Sequence, residues 1–269
     1  MVVRSWNVFH GNAHPPRRRA YLAEAIRLAA TGGPDLVCLQ EIPAWGLGHL
    51  AKWSGMTALP TLAARPVLGP LPIPASLGRR LTGLNHGLFR SAFSGQGNAI
   101  LVSPSLRVTL HEQVVLNPRG FRRQQAGWLG LDPLARLAWA KERRVCQAAR
   151  VVLADGRSAL VANLHATSYW PDQRLPDAEL LRAADFARSL AHQGELVVLA
   201  GDFNVDVARS RTLADLTAEG WGFSAGGPRI DHVLVRGAAV TELEVWPEER
   251  RRVDGVLISD HAPVELEIA

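Results

Sequence analysis

The sequence predicts a mixed α/β fold that contains antiparallel as well as parallel strands. Short apolar runs of strand length alternate with segments whose apolar residues recur at helical spacing. Ala154-Asp155-Gly156-Arg157 separates two apolar runs and is typical of a β-hairpin, which requires an antiparallel pair. The 269 residues can form one large domain or two small ones. Because no shift in composition marks a boundary, we expect a single domain over residues 1–269.

The N-terminal region is predicted to form a strand, a helix and a second strand. Val2 to Phe9 has the composition of a strand, and residues 17–30 carry apolar side chains on one helical face. Gly32-Gly33-Pro34 ends this helix. The apolar run that follows, up to Glu41, is the second strand.

The remaining elements are mostly strands, with two helices between them. A helix is predicted over residues 177–192, and a shorter one over residues 212–219. Strands are predicted at residues 98–102, 107–116, 145–153, 158–164, 195–200, 230–235, 240–245 and 264–268. Residues 60–97 are rich in Pro and Gly, so we predict an irregular insertion there; loops of that length are usually functional or mobile.

Polar side chains stand at the ends of several predicted strands. Gly201-Asp202-Phe203-Asn204 follows an apolar run directly, so a buried strand delivers a carboxylate and a carboxamide together. Ligands of α/β sheets collect where strands end. The other polar residues of this kind are Asn7, Glu41, His165, Asp231, Asp260 and His261. Their common position predicts one active site at the strand ends.

The net charge of +5 conceals a strong asymmetry along the chain. Residues 42–131 contain nine basic side chains and one acid, Glu112. We call this stretch the acid-poor segment. Clustered Lys and Arg attract phosphate-bearing partners, although a solvated face that merely lacks acids has the same composition.

The chain carries no pattern of a secreted or membrane-spanning protein. No apolar run approaches the ~20 residues of a membrane span. Met1 is not followed by a basic and then an apolar leader region, so we expect a cytoplasmic protein without a signal peptide. Cys38 and Cys146 both lie in predicted strands and are expected to be core thiols. We also expect a monomer.

Taken in chain order, the strand-end motifs resemble those of the endonuclease/exonuclease/phosphatase superfamily, whose fold is typified by pancreatic deoxyribonuclease. The motifs are Asn7, Gln40-Glu41, Gly97-Asn98-Ala99-Ile100-Leu101, Asn163-Leu164-His165, Gly201-Asp202-Phe203-Asn204, Ile230-Asp231-His232 and Ser259-Asp260-His261. The resemblance spans nearly the whole chain. It implies a four-layer α/β sandwich in which two mixed β-sheets pack face to face with helices outside.

The resemblance also implies a metal-dependent hydrolase of phosphodiesters. Hydrolysis needs a divalent cation, a group that orients or deprotonates water, and donors to phosphate. Glu41 is the implied metal ligand, assisted by Asn7 directly or through water, with Asp260 as a second candidate ligand. Such oxygen ligands suit Mg²⁺ or Mn²⁺.

The other motif residues receive catalytic roles from the same resemblance. Asp202 is implied to orient or deprotonate the water, and Asn204 to donate its amide to phosphate. Asp231 and His261 resemble the Asp-His pair of the family, in which His261 serves as base, acid or electrostatic donor. His165 is the implied second histidine, close to phosphate and the leaving oxygen.

Some assignments leave two possibilities open. Asn98 can bind phosphate or pair with buried backbone, and Asn7 can tie a strand edge to a neighbouring turn. The phosphate-binding arginine is among Arg143, Arg144 and Arg150, with Arg144 as our candidate; all three can also be plain solvated charges. The sequence indicates no partner for His165. His232 is expected to be structural.

Three functions agree with these residues. A nuclease acting on DNA or RNA is favoured by the motifs together with the acid-poor segment. A phosphohydrolase of the same fold acting on phospholipid headgroups or small phosphorylated metabolites is the alternative, favoured by the apolar, proline-rich residues 66–77. A catalytically silent binding protein on this fold is the third; it would not need these acids and both histidines together.

Overall fold

The structure is a computed structural model that describes residues 1–68, 71–84, 93–224 and 226–269. Its strands, numbered along the chain, are β1 (Val2–Asn7), β2 (Leu36–Ile42), β3 (Thr57–Ala64), β4 (Val67–Leu68), β5 (Leu71–Pro72), β6 (Gln96–Val102), β7 (Arg107–Val115), β8 (Val145–Val152), β9 (Ser158–His165), β10 (Leu196–Asp202), β11 (Asp231–Arg236), β12 (Val240–Val245), β13 (Arg252–Val253), β14 (Val256–Leu257) and β15 (Val264–Ile268). The predicted strands all form, with bounds that differ by one or two residues.

Two mixed sheets form the centre of the fold. The first has the strand order β12-β15-β1-β2-β6-β3, and the second has the order β11-β10-β9-β8-β7. The pairs β1 with β2 and β9 with β10 are parallel, while the other neighbours are antiparallel. The hairpin predicted at Asp155-Gly156 joins β8 to β9, where Val152 pairs with Ser158. Both kinds of strand pairing are therefore confirmed.

The sheets pack face to face over an apolar core to which both contribute. Val3, Leu36 and Ile100 of the first sheet pack with Val161 and Val198 of the second, and all five are fully buried. Burial of aliphatic side chains on this scale is the main term that favours folding.

Helices cover the outer faces of both sheets. In chain order the helices of the described residues are α1 (Leu22–Ala29), α2 (Leu50–Ser54), α3 (Ala75–Leu84), α4 (Arg119–Trp128), α5 (Pro133–Lys141), α6 (Arg174–Leu190) and α7 (Arg211–Thr217). The helices α1 and α2 bury their apolar side chains against the first sheet, and α6 and α7 bury theirs against the second. The four-layer α/β sandwich is thus confirmed.

The structure corrects the prediction that residues 60–97 are irregular throughout. Strand β3 continues to Ala64, and α3 occupies residues 75–84. Pro60 fits inside β3 because β3 is an edge strand, where a missing N–H costs no ladder hydrogen bond on the open side. Residues 69–70 and 85–92 lie outside the described residues, so the prediction stands untested there.

Helices α4 and α5 were not predicted. Gly120 and Gly127 weaken the helical pattern of α4, which is stabilised by packing, since Phe121 meets Trp139 edge to face with ring centroids 5.9 Å apart. In α5, Asp132 caps the N-terminus by accepting a hydrogen bond from the Ala135 amide at 2.8 Å, and Pro133 follows it. Within the ranges given above, no helix has both the length and the apolar character needed to cross a bilayer.

Candidate active site

The strand registers bring the predicted residues to one edge of the sandwich. In the first sheet, Asn7 at the end of β1 lies beside Gln40 of β2. In the second sheet, Asp202 at the end of β10 lies between His165 of β9 and Asp231 of β11. Because each parallel pair ends at the same edge, both sheets present these side chains together.

Gly201 allows β10 to end close to β9. Its φ is +144°, and a Cβ added there would lie 1.9 Å from the carbonyl oxygen of Leu164. Any side chain would therefore push the two strand ends apart. The glycine of the Gly-Asp-Phe-Asn motif thus fixes the position of Asp202 relative to His165.

Asp202 is a buried carboxylate near the centre of the cluster. The Asn7 Nδ2 donates to its Oδ2 at 2.9 Å, so a residue of the first sheet holds an acid of the second. His165 Nε2 and His261 Nε2 lie 3.7 and 3.8 Å from the same oxygen. Burial, with a further contribution from the charge of Asp231, raises the pKa of Asp202 to about 7. A carboxylate with this pKa can accept a proton near neutral pH.

Asp231 and His261 form a hydrogen-bonded pair. The distance from His261 Nδ1 to Asp231 Oδ2 is 2.8 Å, and this contact directs Nε2 toward Asp202. Burial alone would lower the pKa of His261, but the hydrogen bond and the charge of Asp231 outweigh burial and raise it to about 10. His261 is therefore a cation at neutral pH.

The segment before β15 is held in place by Ser259. Its hydroxyl donates to the backbone oxygen of Asn7 at 2.7 Å and accepts from the backbone N–H of His261 at 3.1 Å. The carbonyl of His261 accepts from the Trp6 indole at 3.0 Å and from Arg251 at 2.9 Å. These contacts fix the backbone that carries Asp260 and His261.

The structure supplies the partner of His165 that the sequence did not indicate. Arg144 Nη1 lies 3.0 Å from Nδ1 and 3.1 Å from Nε2 of His165. Arg144 in turn pairs with Glu142 at 2.8 Å, and Gln96 donates to the same Glu142 oxygen at 2.9 Å. Burial and the charge of Arg144 hold the pKa of His165 well below its usual range, so its ring is neutral.

Of the three candidate arginines, only Arg144 reaches this cluster. Arg150 pairs with Glu195 at 2.7 Å, and Arg143 donates to the backbone oxygens of Leu62 and Ala63. Arg144 is 7% exposed, and its Nε has no hydrogen-bond partner among the described residues.

Glu41 also lies near His165. Its two carboxylate oxygens lie 3.6 Å from His165 Nε2 and 3.2 Å from His10 Nε2. Glu41 has φ of +55°, and Asn204 and Ser259 have φ of +52° and +60°. Such values are uncommon outside glycine and are often retained at functional sites.

The acids of this cluster fit a divalent cation. Burial raises the pKa of Asp260, and the charge of Glu41 raises it further; Glu41 also raises the pKa of Asp202. Carboxylates that repel one another in this way are stabilised when a cation lies between them. Their hard oxygen donors suit Mg²⁺ or Mn²⁺.

A second group of potential ligands is less suited to a cation. Asp202, Asp231 and His261 have ligand atoms within 4.8 Å of one another. However, His261 and Asp231 already form a hydrogen bond with each other, and the protonated imidazole of His261 repels a cation. Glu41 and Asp260, whose carboxylates interact through their charges, therefore remain the candidate ligands.

The three asparagines mainly connect elements. Asn7 combines its bond to Asp202 with one accepted from the Phe9 N–H at 3.0 Å, so it also ties β1 to the following turn. The Asn204 side chain donates to the carbonyl of Ala166 at 3.1 Å, which joins the ends of β9 and β10. Asn98 is 2% exposed and donates to the carbonyl of Val145. This is the contact expected if Asn98 pairs with buried backbone instead of binding phosphate. His232, buried and bonded to the Arg229 carbonyl, has the expected structural contacts.

Sequence reasoning missed His10, Glu142 and a polar bridge below the site. In that bridge Gln40 donates to Asn163 Oδ1 at 2.8 Å, and Asn163 donates to the carbonyls of Leu39 and Ala99. The presence of Gln40 and Asn163 in apolar strands was a usable signal, because buried amides need partners. His10 and Glu142 carried no such signal, since each lies in a connecting segment.

The fold is a sandwich of two mixed sheets whose edge gathers carboxylates, amides and histidines. Residues 5–261 match the Endonuclease/Exonuclease/phosphatase family, and the chain belongs to it. No curated protein matches this sequence significantly.

Solved structures with this fold are similar over the whole chain. A functionally unknown conserved protein from Enterococcus faecalis has 16% identity and a TM-score of 0.69, with 100% of this chain and 99% of that chain covered. An endonuclease/exonuclease/phosphatase from Bacteroides vulgatus has 15% identity and a TM-score of 0.68, with 100% and 98% covered. D. rerio TDP2 complexed with single strand DNA product has 14% identity and a TM-score of 0.66, with 100% and 98% covered.

Proposed function

We propose that this protein is a divalent-metal-dependent phosphodiesterase that acts on nucleic acid. The observation that carries the proposal is the position of Asp202, between the Asp231–His261 pair and the Arg144–His165 pair and within reach of Glu41. Family membership supports phosphoester hydrolysis. The acid-poor segment and the similarity to D. rerio TDP2 with its single strand DNA product support nucleic acid as the substrate.

Glu41 and Asp260 would hold the metal ion. When bound, Mg²⁺ or Mn²⁺ would neutralise charge that develops on the phosphate oxygens. The side-chain amide of Asn7 donates to Asp202, so we assign Asn7 to holding that carboxylate, with any contact to the metal made through water.

Asp202 would accept the proton of the attacking water, because its pKa of about 7 balances basicity against ionisation at neutral pH. His261, kept protonated by Asp231, would donate to a phosphate oxygen rather than act as the base. Neutral His165 would donate to the leaving side, with its orientation fixed by Arg144. The second amide hydrogen of Asn204 would be available to phosphate.

The test is hydrolysis of plasmid DNA, single-stranded DNA and RNA in the presence of Mg²⁺. We expect cleavage that EDTA abolishes and that falls on the order of 10²-fold or more in Asp202→Asn and His261→Ala. The exposed residues Asp215 and His192 provide matched controls, and Asp215→Asn and His192→Ala should cleave as the wild type does. No EDTA-sensitive cleavage of any of the three polymers would refute a nuclease. Full activity in both site variants would show that Asp202 and His261 do not carry out the cleavage, whereas absence of cleavage by the wild type on any phosphoester would favour the silent binding protein.

A phosphohydrolase of lipid headgroups or small phosphoesters is the second candidate. It is favoured by Leu68 and Leu71 of the β4–β5 hairpin, which are 50% and 67% exposed. Side chains of this kind can enter a bilayer surface. Hydrolysis of sphingomyelin, phosphoinositides or sugar phosphates, without hydrolysis of nucleic acid, would favour it.

A further inference from the structure

A groove of about 740 Å³ opens beside the candidate active site, between the end of β3 and the connection from α5 to β8. It is lined by Leu62, Ala63, Ala64, Arg65, Val67 and residues 141–143. We propose that this groove binds the phosphates of a single polynucleotide strand that continues beyond the reacting phosphodiester. The inference rests on the proposed function and adds a substrate-binding subsite to it.

The groove is connected to the reacting groups by two short contacts. Glu142 lines the groove and pairs with Arg144 at 2.8 Å, and Arg144 lies 3.0 Å from the His165 ring. His165 in turn lies near Glu41 and Asp202. A strand whose scissile phosphate lies at Asp202 can therefore pass over the Arg144–Glu142 pair into the groove.

The charge of the groove is positive. Arg65, Lys141 and Arg143 contribute three cations, and none of them has a carboxylate partner within 4.0 Å among the residues that the structure describes. The one acid of the lining, Glu142, is paired with Arg144. Arg143 is held at the groove by hydrogen bonds of 3.0 Å to the backbone oxygens of Leu62 and Ala63. Unpaired cations in a concave surface attract a chain of phosphates.

The floor of the groove is apolar. Leu62, at 37% exposure, and the partly buried Val67 present aliphatic surface between the cations. An unpaired strand can place sugars and base faces on such a surface, whereas a duplex hides its base faces by pairing. Positive charge beside apolar surface predicts binding that depends little on sequence and strongly on salt.

The test uses the double variant Arg65→Ala/Lys141→Ala, because Arg143 also supports the backbone. The matched control is Arg27→Ala/Arg157→Ala, which removes the same charge from exposed arginines outside the acid-poor segment; Arg157 lies in the hairpin from β8 to β9, at the opposite edge of the sandwich. Hydrolysis is measured in Mg²⁺ on a single-stranded 12-mer and on bis(p-nitrophenyl) phosphate, a diester with one phosphate. Binding of the labelled 12-mer is measured by fluorescence anisotropy in an Asp202→Asn background, as a function of salt.

We expect the groove variant to bind the 12-mer about tenfold more weakly, with the slope of log K against log salt reduced by ~1.4 for two lost phosphate contacts. The ratio of kcat/KM on the 12-mer to that on the one-phosphate diester should fall by a similar factor. The control variant should keep the affinity and salt slope of the wild type for the 12-mer and its ratio of kcat/KM values. Shorter oligonucleotides should bind progressively more weakly in the wild type but show less difference between wild type and groove variant.

An unchanged salt slope and an unchanged ratio in the groove variant would overturn the proposal. A groove variant that loses binding to vesicles of anionic phospholipid but retains binding of the 12-mer would also overturn it, since the groove would then be a lipid-binding surface. If the wild type hydrolyses neither substrate with any divalent cation, the proposed function fails, while the anisotropy measurement still decides whether the groove binds polynucleotide.

Discussion

Replacing Asp202 with Asn should stabilise the protein and inactivate it at the same time. The carboxylate is 2% exposed, and its pKa of about 7 shows that folding disfavours its ionised form. The difference between about 7 and the ordinary value of 3.8 corresponds to about 4 kcal/mol at 1.36 kcal/mol per pKa unit. Asn has nearly the same shape, carries no charge and retains one acceptor for the Asn7 amide. It loses the hydrogen bond that the backbone N–H of Asn204 donates to the other oxygen at 3.0 Å, which reduces the gain. We therefore expect the free energy of unfolding of metal-free Asp202→Asn to exceed that of the wild type by up to about 4 kcal/mol at pH 8.

The pH dependence of this difference has a definite sign. The folded protein binds more protons at Asp202 than the unfolded chain between pH 3.8 and about 7, so rising pH destabilises the wild type across this window. The difference in free energy of unfolding between Asp202→Asn and the wild type should vanish below pH 3.8. It should reach about half its maximum near pH 5.5 and its full value above about pH 7.

Urea unfolding of metal-free protein at several pH values, followed by circular dichroism, measures the effect. Asp215→Asn, an exposed acid on α7, is the control and should show no such pH-dependent gain. Mg²⁺ should reduce the advantage, because a ligand that binds the folded state stabilises it and favours the ionised site of the wild type. A variant that is less stable than the wild type at pH 8, or equally stable at all pH values, would refute the reasoning.

Three further substitutions test other contacts of the site. Asp231→Asn should lower the pKa of His261 from about 10, because the hydrogen bond and the charge of Asp231 are lost while burial still lowers the pKa; the charges of Asp202 and Asp260 continue to raise it. An NMR titration of the ring measures this, and a ring that still titrates near 10 would contradict the pairing. The stability that the folded protein gains from the raised pKa of His261 is complete below pH 6.5 and is lost as pH rises through about 10. The deficit of Asp231→Asn in free energy of unfolding, relative to the wild type, should therefore be smallest in strong base. Glu142→Gln should reduce diester hydrolysis by about tenfold by releasing Arg144 from its partner. Glu244→Gln, which breaks the exposed pair with Arg250, is the control. Equal rates of hydrolysis in the two variants would show that Glu142 does not contribute to the site. Glu41→Gln should weaken Mg²⁺ binding by about tenfold or more in isothermal titration calorimetry, whereas Glu219→Gln should not; unchanged affinity would move the metal site elsewhere.

The strands and their polar ends were predictable because both signals are local. An apolar run followed by a carboxylate or an imidazole is visible within about eight residues, as in Leu196 to Asp202 and Ser158 to His165. The order of such ends along the chain then identified the family. The registers that place Asp202 between His165 and Asp231 follow from strand pairing and could be inferred only through that resemblance.

The contacts that orient the site residues were less predictable, because they join segments that are distant in sequence. Arg144 meets His165 across two antiparallel strands, and Asn7 meets Asp202 across the interface between the sheets. Helix α4 was missed for a related reason. Its glycines and arginines give a weak local pattern, and the helix depends on contacts between Phe121 and Trp139 that only the folded chain creates.

Because Asn7 and Asp202 belong to different sheets, the geometry of the site depends on how the two sheets pack. The buried bridge from Gln40 to Asn163 crosses the same interface directly below, and its amides have their polar partners only if the registers of both sheets are correct. A one-residue slip would turn these side chains to the opposite face. The bridge therefore restricts the sheets to the arrangement in which Asn7 reaches Asp202, and this arrangement keeps a buried carboxylate ionisable near neutral pH although its burial disfavours folding. The residues that specify the packing and those we assign to the chemistry are thus coupled through contacts that cross between the sheets, among them Asn7 with Asp202 and His261 with Asp231.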